Sequence, residues 1–100
     1  MANFTANFTT KKQTVPASTS VSPNAKMSLM QGDTVVSETT VAMVDATASF
    51  GAVADGTYTV KAQRLSGSGQ PVGDAAVSDP FDVVNTVEID VPSVVTVALV

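Results

Sequence analysis

One hundred residues, 44% apolar and only 14% charged, make one domain with one core. A net charge of −4, from five Lys and Arg against nine Asp and Glu, speaks against nucleic acid as a partner, because five scattered cations neutralise few phosphates. With no Cys and no His, a disulfide framework is excluded, and the usual nucleophile–base pairs and zinc or copper sites lose their standard ligands.

The apolar residues are mostly Val and Ala, with four Phe, one Tyr and no Trp, and Thr and Ser fill much of the remainder. Val and Thr carry two heavy atoms on Cβ, which restricts χ1 and suits a pleated sheet better than a helix. The start, Met1-Ala2-Asn3-Phe4-Thr5, lacks the charged and apolar regions of a secretory signal. A chain that begins natively there is expected to be made in a cytosol and to leave it by assembly or lysis. The most apolar stretch, Val91 to Val100, is too short to span a bilayer as a helix, so no membrane association is expected.

Residues 3–9 alternate. Phe4, Ala6 and Phe8 point one way and Asn3, Thr5, Asn7 and Thr9 the other, the period-two signature of a half-buried strand. Ala-Asn-Phe-Thr occurs twice in succession here, as two pleats of one strand. Both copies match the Asn-x-Thr glycosylation pattern, which without a secretory signal reads as structural. Thr10 to Asn24 is Thr/Ser-rich with Pro16 and Pro23, and so long a loop suggests a short edge strand around Gln13–Val15. Ala25, Met27 and Leu29 then alternate with Lys26 and Ser28 up to a Gly32-Asp33 turn. Thr34 to Val41 returns antiparallel, with Glu38 facing water. Ala42 to Asp45 makes a turn or one loose helical turn. Ala46, Ala48 and Phe50 share one side of the next strand, which Gly51 ends or bulges.

After Asp55-Gly56, Tyr58, Val60 and Ala62 alternate with Thr57, Thr59, Lys61 and Gln63. Ser66 to Gly73 is a Gly/Pro-rich hairpin loop. The return strand runs from about Ala75 to Val84, with Val77, Phe81 and Val83 inward and Pro80 marking an edge or bulge. Val87, Ile89 and Val91 alternate with Glu88 and Asp90. Pro92 breaks that strand, and Val95, Val97 and Leu99 finish the chain. Roughly seven to eight short strands, with frequent turn signals and no amphipathic helix, predict an all-β sandwich or small barrel. Phe4, Phe8, Leu29, Phe50, Tyr58, Val60, Phe81 and Ile89 are its expected core.

The stretch Ala54-Asp55-Gly56-Thr57-Tyr58-Thr59-Val60-Lys61-Ala62, followed by a Ser/Gly-rich tip at 66–69, resembles the penultimate hairpin of bacterial and phage immunoglobulin-like domains. Those domains often carry Asp-Gly-Thr-Tyr-Thr-Val at the start of a late strand. The resemblance implies an antiparallel immunoglobulin-like β-sandwich, and the chain is expected to be one such domain over residues 1–100, with residues 1–24 as a candidate N-terminal arm. It makes Tyr58 the tyrosine corner, its hydroxyl bonded back to nearby backbone. The Cys–Trp–Cys core of antibody domains is absent, and the first half of the chain carries no comparable motif.

Little here carries chemistry. Ser22 and Lys26, the nearest Ser–Lys pair, flank Pro23-Asn24 in a loop, and the Gly67, Gly69 and Gly73 series opens no helix that could cradle a phosphate. Asp74, Asp79 and Asp82 bracket one strand, and Asp33, Asp45 and Asp55 sit at turns. Carboxylates converging at one end of a sandwich could hold Ca²⁺. Asp also favours turns for its own backbone bonds, and on that ground no cofactor or metal is expected. Glu88 and Asp90 belong to a solvated strand face.

The expected function is therefore non-enzymatic. Foremost is a structural protein of a phage virion, a capsid decoration or other accessory protein made in the host cytoplasm and bound to a preformed lattice. A native start and an apolar final strand would favour such a complete small protein over an immunoglobulin-like module of a bacterial surface adhesin. A carbohydrate-binding module comes last, because sugar platforms usually need exposed aromatics. The expected partner is a capsid or other virion protein, with homo-oligomerisation about symmetry axes open. The contacts assigned to it are Phe4 and Phe8 on the first strand and Lys11 and Lys12 in the loop. Each has a plainer role, the two Phe as the domain's own first strand and the two Lys as a solvated loop.

Overall fold

The computed structural model describes residues 2–86 and 89–99. The protein is all-β, and every strand pairing is antiparallel. The strands are β1 (Ala2–Asn7), β2 (Asn24–Gln31), β3 (Thr34–Ala42), β4 (Thr47–Val53), β5 (Gly56–Arg64), β6 (Ala76–Val77) and β7 (Phe81–Val83). β1 and β4 form one sheet, and the other has the order β3-β2-β5-β6, with β7 also paired to β5.

The alternation in β2 sets the floor of the core. Ala25, Met27 and Leu29 are all but inaccessible, and Leu29 is fully so. Gly32 closes the β2–β3 hairpin with φ of 62°, a left-handed conformation that costs other residues a Cβ clash. β3 is a solvated edge strand, with Glu38 placed beside Lys26 across the hairpin at 4.0 Å. Met43 to Asp45 forms a single turn, in which Asp45 and Ala46 N–H both donate to Ala42 O. On β4, Ala48, Phe50 and Val53 face across to Met27, Leu29, Tyr58 and Val60, so the two sheets share one core. Phe4, Phe8 and Phe81 pack against its margin.

At Gly51 the strand bulges and does not end. Ala2 faces Val53 while Phe4 faces Phe50, which leaves an extra residue on β4. Ala52 takes φ of 57° there, and its N–H donates to Asn3 Oδ1 at 3.0 Å. The first Asn-x-Thr asparagine thus has a structural task.

Several expectations are corrected. Gln13–Val15 forms no strand; the chain turns at Pro16, with Thr19 N–H donating to Pro16 O, and Gln13 reaches the far loop by its side chain, accepting from Asp74 N–H at 2.8 Å. The strand expected over 75–84 is broken in two, and Val77 is 61% exposed, not inward. The cause is a register slip. Lys61 faces Val77 and Tyr58 faces Phe81, so β5 spends three steps where its partner spends four. One extra residue reverses which face a strand presents. At the slip the Ser78 hydroxyl, standing where a ladder carbonyl would, accepts from Val60 N–H at 2.8 Å, and Ser78 N–H donates to Val60 O.

Gln63, expected on the outer face, is buried, while Phe4, Phe8 and Phe81, expected to be mostly buried, do pack against the core at its margin. Ile89, expected in the core, is 74% exposed. Val87 and Glu88, on the same expected strand, lie outside the described residues. Val95, Val97 and Leu99 form no strand and are exposed. Alternation specifies two faces of a strand but supplies no partner, and among the described residues nothing in the chain's own body covers this segment. The overall dimensions follow: a compact domain of this length has a radius of gyration of about 13 Å, whereas this chain measures 21.4 Å and extends 91 × 25 × 19 Å.

Candidate functional site

An apolar groove of about 460 Å³ lies between the outer edge of β1 and β6. Phe4 to Thr9 line one wall without a gap, and Ala76 to Ser78 line the other, over a floor that includes Met27 and Val60. Among the described residues no charged side chain borders it. Phe4 closes one end: its ring stands 5.4 Å from Phe50 and 5.3 Å, edge-on, from Phe81. Phe81 in turn lies 6.3 Å from Tyr58.

Tyr58 is buried, and its hydroxyl donates to Ala54 O at 2.8 Å, the bond back to nearby backbone that the residues around it implied. This leaves no exposed Tyr as a sugar platform. Buried Gln63 holds the neighbouring loop, its Nε2 donating to Val72 O at 3.0 Å and Gly73 O at 3.1 Å. Sequence alternation placed Gln63 on the outer face; its position opposite a Gly/Pro-rich loop was the available signal for burial, since an amide can satisfy loop carbonyls that no ladder reaches.

The four partner-binding candidates are only partly brought together. Phe4 and Phe8 border the same groove, and Phe8 also borders a second, larger one of about 620 Å³ with Lys11, Arg64 and Asp74. Lys11 lies 3.8 Å from Asp74, both well exposed, an ion pair worth little in water. Lys12 is exposed and borders neither groove. β1, the strand of the candidate arm, is laid against β4 of its own chain.

The acidic turns do not converge. No group of three or more Asp, Glu, His or Cys that could hold a metal occurs among the described residues. Asp82 accepts from Thr57 Oγ1 at 2.7 Å, and Asp55 accepts from both the backbone and side-chain N–H groups of Asn85. The Asn85 side chain, and then its backbone N–H, hold the Asp55 carboxyl below the usual carboxylate range. Asn85 Nδ2 also donates to Val53 O at 3.2 Å, which pins the chain where it leaves the body. Ser22 Oγ accepts from Asn24 N–H at 3.2 Å, and Lys26 is turned to Glu38. No protein-family model, curated protein or solved structure matches the chain.

Proposed function

We propose that this chain is a non-enzymatic structural protein of a phage virion, an accessory subunit that decorates a preformed capsid by adhesion. The observation that carries it is apolar surface left open: an uncharged groove on the body, and a C-terminal segment whose Ile89, Val91, Val94, Val95, Val97 and Leu99 are 66–95% exposed. Soluble monomers seldom present that much contiguous apolar surface unless another protein covers it.

The fold proposed beneath this function is an immunoglobulin-like sandwich. In support, β3-β2-β5-β6 corresponds to an order C′-C-F-G, β1 and β4 correspond to B and E, and the hydrogen-bonded Tyr58 opens the strand in the F place. The resemblance around Tyr58 to phage-borne domains turns the adhesive surface toward a virion lattice.

Co-sedimentation of the purified chain with phage heads lacking it tests the proposal. Saturable binding at a fixed number of copies per head is expected, with no substrate turned over. Binding to bacterial envelopes and not to heads would transfer the chain to the surface-adhesin class.

A further inference from the structure

We propose that residues 89–99 are a donor strand: they lie along the outer edge of β1 in a second copy of this chain and fill the groove between β1 and β6. This goes beyond capsid decoration and does not depend on it.

The acceptor is defined by what β1 lacks. Among the described residues β1 makes a ladder with β4 alone, so the backbone groups on its other side are unpaired. Alternate residues of a strand face opposite ways, yet Phe4 through Thr9 line the groove consecutively. A strand that does this presents its edge. Exposed edges are normally guarded by charge, proline or a covering element. From Ala2 to Thr10 there is neither a charged residue nor a proline.

The donor matches in pattern, charge and length. Asp90 is the one charged residue in 89–99. Beyond Pro92, the run Val94 to Leu99 is as long as the six-residue β1, with Val95, Val97 and Leu99 on one side and Val94, Thr96 and Ala98 on the other. All three of those apolar side chains are at least 79% exposed. An uncharged alternating strand fits an uncharged edge over an apolar floor, with main-chain bonds supplying affinity and alternate side chains entering the groove.

Direction selects a second copy over the chain's own body. Asn85 ties the departing chain to Val53, which faces Ala2 in the β1–β4 ladder. The tail therefore leaves from the Ala2 end of β1. Running from there along its own β1 it would lie parallel, in a protein whose every described pairing is antiparallel and where parallel ladders are slightly weaker. A neighbour's tail entering from the Thr9 end lies antiparallel. In this arrangement the N-terminal strand receives and the C-terminus donates, the reverse of an N-terminal arm that reaches outward.

The absence of Cys allows a direct test in the full chain. Separately prepared Thr5→Cys and Thr96→Cys chains, both substituted on the face turned away from the groove floor, should form a disulfide-linked pair of one of each when mixed and oxidised; Asn7→Cys serves as a second acceptor position. Sedimentation velocity should show the native chain associating with rising concentration, and Val97→Lys should weaken that association at least tenfold while leaving the circular dichroism of the body unchanged. A native chain that stays monomeric at hundreds of micromolar, or association indifferent to Val97→Lys, overturns the proposal. So does a Thr5→Cys/Thr96→Cys chain that closes its disulfide within one molecule at high dilution.

Discussion

Phe4 is the ring through which β1 meets both sheets, so its removal reports whether that strand belongs to the core of its own chain. Its neighbours are Phe50 on β4, in the same sheet, and Phe81 on β7, in the facing one. Truncating a fully buried Phe to Ala costs about 3–5 kcal/mol. Phe4 is half-buried, so Phe4→Ala should cost about 2–3 kcal/mol, part of the ring being solvated already. Phe81→Ala, equally half-buried, should cost about the same, below the full core value. The edge-on contact between the two rings adds about 0.5–1.5 kcal/mol beyond buried area, and a double-mutant cycle isolates it. The assay is urea unfolding followed by far-ultraviolet circular dichroism, at concentrations where the midpoint no longer depends on protein. A coupling below about 0.3 kcal/mol would refute the packing described, since that is the scatter of non-interacting sites. A Phe4→Ala cost indistinguishable from zero would make β1 a free arm.

Tyr58→Phe removes only the bond to Ala54 O and should cost about 1 kcal/mol in the same unfolding assay, with an unchanged slope. Gly32→Ala should cost about 1 kcal/mol, because the hairpin turn requires a left-handed residue and nothing crowds the site; a neutral result would mean that the turn relaxes freely. The Asp55–Asn85 contact predicts a pH dependence. Since folding lowers the Asp55 pKa, its contribution is fully present above the unfolded value of about 3.9 and is lost as pH falls through the lower folded value. Thermal melts of the native chain and Asp55→Asn, compared from pH 6 downward, should differ by a constant amount to about pH 4 and then converge. A difference that grew on acidification would reverse the assigned sign.

Period-two patterns in residues 3–9, 25–29 and 57–63 were enough to specify strands and most of the buried face, because a strand's alternation is a local property that any partner must respect. The Gly32-Asp33 and Ser66–Gly73 turns were legible for a similar reason, since Gly and Pro limit backbone angles whatever lies around them. Gly51 could be flagged as a bulge, but only the ladder shows that Asn3 satisfies the N–H the bulge releases. The interactions that escaped the sequence are all long-range. Val77 and Phe81 appear in phase along the chain, but the register slips by one residue between them, where the Ser78 hydroxyl accepts from Val60 N–H. Gln63 looks solvent-facing until the 72–73 carbonyls arrive above it. The open groove belongs to the same class: Phe4 and Phe8 could be picked out as apolar anchors, but that β1 has a partner on one side alone is decided by which strands meet it. Residues 89–99 show the limit most sharply. Their composition is as strand-like as that of β2, yet a strand needs a neighbour to pair with, and no neighbour is encoded in the order of the residues themselves.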